Sequence, residues 1–357
     1  MKKVVMTGTR GIPSVMGGVE THCEELCPRL AALGTDITVV RRSAYVSDGL
    51  SEWNGVKLKD ISSPKIKALE AIVHTFRAVN YAARINADIV HIHAAGPALL
   101  TPYAKFRGLR VVVTNHGPEY ERDKWGTLAK IMLRLGERFA VRYADDVIVI
   151  SDVIRRLISE KYGRMERVFT IPNGVPESIP CDDEAWFKEL GIEPGKYVLS
   201  MCRFVPEKRL QDLVAAAQGL EGYRLVLAGD TDFEDTYSLK LKSDARAAGV
   251  VLPGFVKGNR RRALLTHAAS FVLPSSHEGL PIALLEAMSY GLKVVVSDIP
   301  AHLEIGLSPD CYFRCGDVED LRRKLDMQLL SLEKPNYDLS PYQWDVIAER
   351  VFQIYES

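Results

Sequence analysis

The sequence predicts an α/β protein made of two doubly wound, Rossmann-like domains in series, and three observations carry that prediction. Short β-branched runs alternate with segments of helical periodicity, the signature of a parallel sheet wound on both faces. The alternation stops at a Pro-punctuated stretch, Ile171-Pro172-Asn173-Gly174-Val175-Pro176 and on to Pro180, and then restarts. At 357 residues the chain is also longer than one core usually supports.

In the first half, strands are expected near Lys3 to Thr7, Asp36 to Arg41, Asp88 to Ile92, Arg110 to Thr114 and Asp146 to Ile150, each followed by a helical pattern. In the second half they are expected near Tyr197 to Met201, Arg224 to Ala228, Val250 to Leu252, Ser270 to Leu273 and Lys293 to Val296. The domains therefore fall at 1–172 and 196–336, with 173–195 as linker. Pro335 and Pro341 interrupt the pattern before a last helix within 341–357. Its Val346, Ile347, Val351, Phe352 and Ile354, with Trp344 ahead, need a surface to cover.

Hydrophobic content of 47% with 26% charge is ordinary for a soluble globular enzyme. No apolar run reaches the roughly 18 residues of a membrane span, and the first strand begins without a signal-peptide pattern, so a cytoplasmic location is expected. Six scattered cysteines lack zinc spacing and are expected as reduced thiols. His91 and His93 alternate along an apolar strand and face one side, with no third ligand nearby in sequence. The net charge of zero conceals an asymmetry: residues 1–170 hold 26 Lys and Arg against 18 Asp and Glu, so that half is +8 and the rest −8. A basic first half suits an anionic surface or substrate.

Ligands of doubly wound sheets bind outside the carboxyl ends of the strands, so the informative loops are those that follow strands. The segment Ser275-Ser276-His277-Glu278-Gly279-Leu280-Pro281-Ile282-Ala283-Leu284-Leu285-Glu286-Ala287 sets two carboxylates around a helix start. Pro281 suits the first helical position, which puts Glu278 in the loop and Glu286 inside the helix, roughly 8 Å further along the axis at about 1.5 Å per residue. Between them lie the unpaired amides of a helix N-terminus. Amides and dipole favour phosphate, and carboxylates accept from sugar hydroxyls, so the arrangement fits a nucleotide-diphosphate sugar. Read alone, a Glu pair at this spacing is also what chance gives in a helix.

Four further loops stand out. Gly8-Thr9-Arg10-Gly11-Ile12-Pro13-Ser14-Val15-Met16-Gly17-Gly18 is neither a dinucleotide fingerprint nor a P-loop, and Gly17-Gly18 lets backbone approach a ligand where a helix begins. Cys202-Arg203-Phe204-Val205-Pro206-Glu207-Lys208 can bring a guanidinium and an ammonium onto one diphosphate. His116 ends a strand beside Gly117-Pro118. In Pro253-Gly254-Phe255-Val256 a backbone edge and an aromatic can receive a base, the alternative for Phe255 being core packing.

With the Asn173-Gly174 turn, these residues make a combination that resembles the retaining glycosyltransferases of family 4, and the resemblance runs from Met1 to the last helix. It implies GT-B architecture, with two Rossmann-like domains facing a central cleft and the C-terminal helix packed on the first domain. By the same resemblance, Arg203 and Lys208 hold the donor diphosphate, Glu286 the ribose hydroxyls, and Glu278 with the Gly279 and Leu280 amides the transferred sugar and phosphates. Gly17 and Gly18 close over the diphosphate, His116 lies beside the sugar, and Phe255 and Val256 frame the base. The chain departs from the family at Cys202, where glycine is frequent. The run Gly8 through Gly18 is similar to the subset that builds bacterial surface polysaccharides, rhamnosyltransferases among them.

The implied reaction is front-face transfer with retention, from a nucleotide sugar to a saccharide or lipid-linked saccharide, with no cofactor, no metal and no nucleic-acid partner. Asp230-Thr231-Asp232 forms an Asp-x-Asp that turn chemistry explains without a metal. Lys130, Arg134, Arg138 and Arg142 recur every four residues on an expected helix, with Trp125, Leu128, Met132, Leu135 and Phe139 around it. That stripe is either a solvated face or a dock for the anionic inner leaflet, which would make the protein peripheral on the membrane. The alternative enzyme is a sugar-nucleotide epimerase of the same architecture. A nicotinamide dehydrogenase lacks its fingerprint here, and a two-domain sensor would not need convergent cations and acids.

Overall fold

The computed structural model describes residues 1–64, 67–118, 120, 126–231 and 234–357, so Trp125 and Asp232 lie outside the described residues. These fall into two units, Met1–Gly174 with Pro341–Ser357, and Val175–Ser340.

In the first unit, β1 (Lys3–Thr7), β2 (Asp36–Arg42), β3 (Glu52–Trp53), β4 (Val56–Ile61), β5 (Ile89–His93), β6 (Arg110–Asn115), β7 (Asp146–Val149) and β8 (Val168–Thr170) form one sheet, ordered β3-β4-β2-β1-β5-β6-β7-β8. Every pair is parallel except β3 with β4. Val4, Val5, Met6, Ile89, Val90 and Ile92 are fully buried, as expected of central strands covered on both faces. The sequence reading passed over β3, β4 and β8. In β4, Val56 and Leu58 are buried while Lys57 and Lys59 are exposed, so the strand is half solvated and lacks an apolar run. Its hairpin turn is Asn54-Gly55, with φ of 47° and 78°, and that dipeptide is a readable hairpin signal.

The last helix, Trp344–Glu356, lies in this unit and shares a core with the helix Gly18–Ala32. Ile347, Val351, Ile354 and Tyr355 meet Cys23, Leu26, Cys27 and Leu30, while Val346 faces outward. Arg29 Nε donates to Asp345 at 2.8 Å, and Arg110 donates to the Tyr355 carbonyl at 2.9 Å. Gly174 is required by close approach, since a Cβ there would come within 2.3 Å of the Trp344 indole.

In the second unit, β9 (Tyr197–Met201), β10 (Arg224–Ala228), β11 (Val251–Gly254), β12 (Ser270–Leu273), β13 (Lys293–Ser297) and β14 (Tyr312–Phe313) form a parallel sheet ordered β11-β10-β9-β12-β13-β14. The central strands β9 and β12 bury Val198, Leu199, Phe271, Val272 and Leu273 completely. The stretch 173–195, expected as a linker, differs: it contains the helix Glu184–Leu190, capped by Asp183 and burying Trp186 and Phe187 within this unit. Two apolar anchors in seven helical residues are enough to dock so short a helix, and Pro punctuation hid it. β14 is two residues long, too short to carry a period.

Candidate active site

In the second unit, the loops that follow the neighbouring strands β9 and β12 are tied together. Ser276 N donates to the Glu207 carbonyl at 2.9 Å, and the Lys208 ammonium forms an ion pair with Glu278. Ser275 Oγ donates to the same Glu278 oxygen at 2.7 Å. Behind it, Ser297 Oγ donates to the Ser275 carbonyl, and His302 Nδ1 donates to the Ser297 carbonyl at 2.9 Å. Burial alone would raise the Glu278 carboxyl, but the charge of Lys208 and the bonds from Lys208 and Ser275 bring it below its ordinary value. Burial lowers His302 to about 4. Sequence reading found Lys208 and Glu278 but missed the supports. Ser275 and Ser297, each at or just past a strand end, were findable by position; nothing in the sequence marks His302.

The helix that carries Glu286 is Ile282–Ser289, with Pro281 as its N-cap at φ −77° and ψ 110°, one residue before the position expected of it. An extended ψ at Pro281 keeps it outside the helix although its φ suits the first turn. Glu286 is buried, and Arg261 of the helix Gly258–His267 reaches its Oε2 through Nη2 and through Nε at 3.1 Å. Arg261 was not anticipated, because it stands 25 residues away within an Arg260-Arg261-Arg262 run that reads as a solvated face. Arg203 is half-buried in the loop after β9, as is Gly279 after β12, while Leu280 is buried. Phe255 is 48% exposed and Val256 buried, so of the two readings for Phe255 core packing is excluded.

Cys202 needs no glycine. Its backbone lies outside the positive-φ set, and the demand falls opposite, on Gly229 at φ 135°, where a Cβ would stand 1.9 Å from the Cys202 carbonyl. Burial pushes the Cys202 thiol up to about 11. Asp230 accepts from the Thr231 amide at 2.8 Å and pairs with Lys242 at 2.7 Å.

The first unit holds Gly17, Gly18 and His116. The glycine-rich loop after β1 is tied down along its length. Glu20 accepts from the Arg10 amide at 2.9 Å, Arg10 Nη2 donates to the Met16 carbonyl at 2.8 Å, and the buried Arg41 donates to the Ile12 carbonyl at 3.1 Å. Gly17 has φ 147°, and a Cβ there would lie 2.0 Å from Glu20 Oε2. Gly18 starts the helix and is exposed.

His116 does not stand alone. The parallel register sets His93 opposite Thr114, which brings His116, two residues further, beside the end of β5. His93 Nδ1 lies 3.0 Å from His116 Nε2, and His91 stacks on His93 with ring centroids 4.4 Å apart. From the helix Gly18–Ala32, His22 approaches both His93 and His116, at 5.4 and 5.2 Å, and its Nδ1 bonds Asn173 Oδ1 at 2.9 Å. Burial lowers His22 to about 4 and His91 to about 3, so both rings are neutral near pH 7. The third and fourth imidazoles that sequence did not supply are thus present, yet among the described residues no His, Cys, Asp and Glu group is arranged to hold a metal ion.

The basic stripe lies on the helix Thr127–Tyr143, whose buried face is Leu133, Gly136, Glu137, Ala140 and Val141. Arg134, Arg138 and Arg142 are exposed, and so are Leu128 (72%) and Ile131 (54%), with Leu135 beside them. Among the described residues no helix is long and apolar enough to cross a membrane.

Comparison with known proteins accounts for this arrangement. The family model described as Glycosyltransferase Family 4 matches residues 16–178, and that described as Glycosyl transferases group 1 matches residues 182–342. An alpha-maltose-1-phosphate synthase of Mycolicibacterium smegmatis is 28% identical over 99% of this chain and 98% of its own. The Escherichia coli UDP-Gal:alpha-D-GlcNAc-diphosphoundecaprenol alpha-1,3-galactosyltransferase is 28% identical over 66% of this chain and 63% of its own. Anabaena HepE, solved in complex with UDP, superposes with a TM-score of 0.77 at 18% identity over 100% of both chains. Two parallel-sheet units, matched by glycosyltransferase models over residues 16–178 and 182–342, place the chain among the family 4-like glycosyltransferases of GT-B architecture.

Proposed function

We propose that the protein transfers a sugar, with retention and without a metal, from a nucleotide-diphosphate sugar to a hydroxyl of a lipid-linked saccharide in bacterial polysaccharide assembly. The observation that carries the reading is the Lys208–Glu278 pair, with Ser275 fixing Glu278 in the loop after β12 and Arg203 in the same post-β9 loop as Lys208. A cation paired with a shielded carboxylate, with a second cation in the same loop as the first, suits a diphosphate leaving group next to a hydroxyl-rich ring. The E. coli relative is named for a UDP-sugar donor and a diphosphoundecaprenol-linked acceptor, which supports both substrates.

In the proposed step the C1–O bond to the diphosphate breaks, the acceptor oxygen bonds C1 from the same face, and a departing phosphate oxygen takes the acceptor proton. The protein's share is orientation and charge stabilisation. Arg203 and Lys208 neutralise the diphosphate, Glu286 accepts from the ribose, and Glu278 with the Gly279 and Leu280 amides holds sugar and phosphate. Phe255 and Val256 border the base, Gly17 and Gly18 present backbone to the diphosphate, and His116 contacts the sugar. Because the two cations supply the positive charge, turnover is expected to persist in excess chelator. The epimerase reading is not favoured, since the relatives are named as transferases and synthases.

The test is a panel of UDP, GDP and dTDP sugars, with and without polyprenyl-diphosphate saccharides, read by acceptor mass and by the anomeric configuration of the product. A mass increase of one hexose or deoxyhexose with retained configuration is expected. An inverted product, or epimerised donor without acceptor, would overturn the proposal.

We further propose that the helix Thr127–Tyr143 rests on anionic lipid. Exposed Leu128, Ile131 and Leu135 beside Arg134, Arg138 and Arg142 combine apolar insertion with about 1 kcal/mol of attraction per basic residue near such a surface. Co-sedimentation with phosphatidylglycerol vesicles but not phosphatidylcholine vesicles is expected, and should fail in a triple Arg134→Gln, Arg138→Gln, Arg142→Gln variant. Equal binding to both lipids would end this reading.

A further inference from the structure

We infer that His302 is a positioning residue for Glu278: acting through Ser297 and Ser275, it holds the carboxylate with Oε1 committed to the protein and Oε2 left to the substrate. Its consequence in catalysis rests on the transferase reading; its geometry rests on hydrogen bonds within the second unit alone.

His302 lies in the short helix Pro300–Leu303 that follows β13 and is fully buried. Its Nδ1 stands 2.9 Å from the Ser297 carbonyl oxygen and 3.1 Å from Ser297 Oγ. A carbonyl oxygen has no proton to give, so the ring nitrogen is the donor. Nε2 is buried and has no hydrogen-bond partner among the described residues. Burial lowers the ring to about 4, against the Glu278 charge and the Ser297 bond that would raise it and with the Lys208 charge adding to the fall. The ring is therefore neutral near pH 7, with its proton on Nδ1 and its lone pair on Nε2.

That tautomer sets the direction of every bond that follows. The Ser297 hydroxyl has one proton and gives it to the Ser275 carbonyl, so toward His302 it can only accept. The next peptide link is pinned from its other side, where the Ser276 amide donates to the Glu207 carbonyl at 2.9 Å. Held at both ends, Ser275 spends its own hydroxyl proton on Glu278 Oε1 at 2.7 Å. Lys208 Nζ ends on the same oxygen. Oε1 thus has two donors, while Oε2 has none among the described residues and is open to a sugar hydroxyl. Ser275, Ser297 and His302 are all fully buried, so losing one link leaves a buried polar group unpaired.

Two NMR measurements on the full-length protein read the ends of this relay. Long-range ¹H–¹⁵N spectra should show wild-type His302 protonated at Nδ1 alone at pH 7, and an Nε2–H ring or an imidazolium would overturn the inference even if no variant folds. Carboxyl ¹³C spectra should show His302→Leu and Ser275→Ala each raising the Glu278 titration, by about one pH unit for a lost bond to a charged group. Because His302 acts through Ser275, the double variant should raise it no further than Ser275→Ala does, and additive shifts would overturn the inference. His302→Asn, whose amide can donate from near the Nδ1 position, should restore the wild-type titration. With the panel of UDP, GDP and dTDP sugars, His302→Leu should lower kcat/KM about tenfold and leave the affinity for the sugar-free nucleoside diphosphates unchanged. Equal losses for both would overturn the assignment of Oε2 to the sugar. If the relay behaves as stated but no donor is turned over, the transferase reading fails and the positioning role stands.

Discussion

Lys208 and Glu278 meet in an ion pair whose side chains are only 15% and 11% exposed, between loops that follow adjacent strands. So shielded a pair is costly to break from one side. Lys208→Ala leaves the Glu278 carboxylate with Ser275 and should destabilise the second unit by roughly 2 to 4 kcal/mol. It should also lower turnover by about 10² to 10³, the usual effect of removing one electrostatic contact to a developing charge. Thermal unfolding and kcat check the two separately, and turnover within twofold of wild type would remove Lys208 from the mechanism.

Arg261 and Glu286 give a different signature. Arg261→Met takes the guanidinium from a buried carboxylate and should cost about 2 kcal/mol or more of stability. If Glu286 binds ribose, its lost orientation should raise the donor KM more than it lowers kcat. A variant with unchanged KM and a lowered melting temperature would make the pair purely structural.

Gly17 tests the loop that the first unit presents. An alanine there would be strained at φ 147° and would push its Cβ into Glu20 Oε2, the carboxylate that holds the Arg10 amide. Gly17→Ala is expected to destabilise by roughly 1 to 3 kcal/mol and to weaken donor binding. Gly18→Ala meets nothing within 4 Å and should leave stability nearly unchanged, which makes it the internal control. Equal melting temperatures for the two variants would contradict the assigned contact.

Much of this was legible before any coordinates. Parallel strands covered on both faces are written as β-branched runs, so Val4 and Val5 or Val294 to Val296 declare themselves. Edge elements do not: β4 mixes buried Val56 and Leu58 with exposed Lys57 and Lys59, and β8 and β14, at three and two residues, are too short to show a repeating pattern. Of the residues the sequence points to in loops after strands, the structure pairs Lys208 with Glu278 and sets His116 beside His93. Their supports were not legible, because the partners come through space. His22 reaches His93 from a helix 71 positions earlier in the chain, and Arg261 reaches Glu286 across two helices. Sequence spacing carries no trace of such contacts.

The histidine file should make the first unit sensitive to acid. His22 and His91 are fully buried and are lowered by that burial to about 4 and about 3, while in the unfolded chain they titrate near the ordinary 6.5. Between those values the unfolded state binds protons that the folded state refuses, so stability is full above pH 6.5 and falls as the pH drops toward the folded values. Each ring contributes a slope of at most about 1.4 kcal/mol per pH unit. The melting temperature should therefore be level from pH 8 to 7 and decline steeply from pH 6.5 to 5, well above the range in which carboxylates such as Glu278 protonate. His22→Asn, which keeps a polar group near Asn173 without a titrating ring, should flatten the decline by about a quarter, since His74, His91 and His93 of the same unit are lowered by burial as well. A wild-type melting temperature independent of pH between 7 and 5 would show that these imidazoles are hydrated or charged in the folded protein, against the packing described.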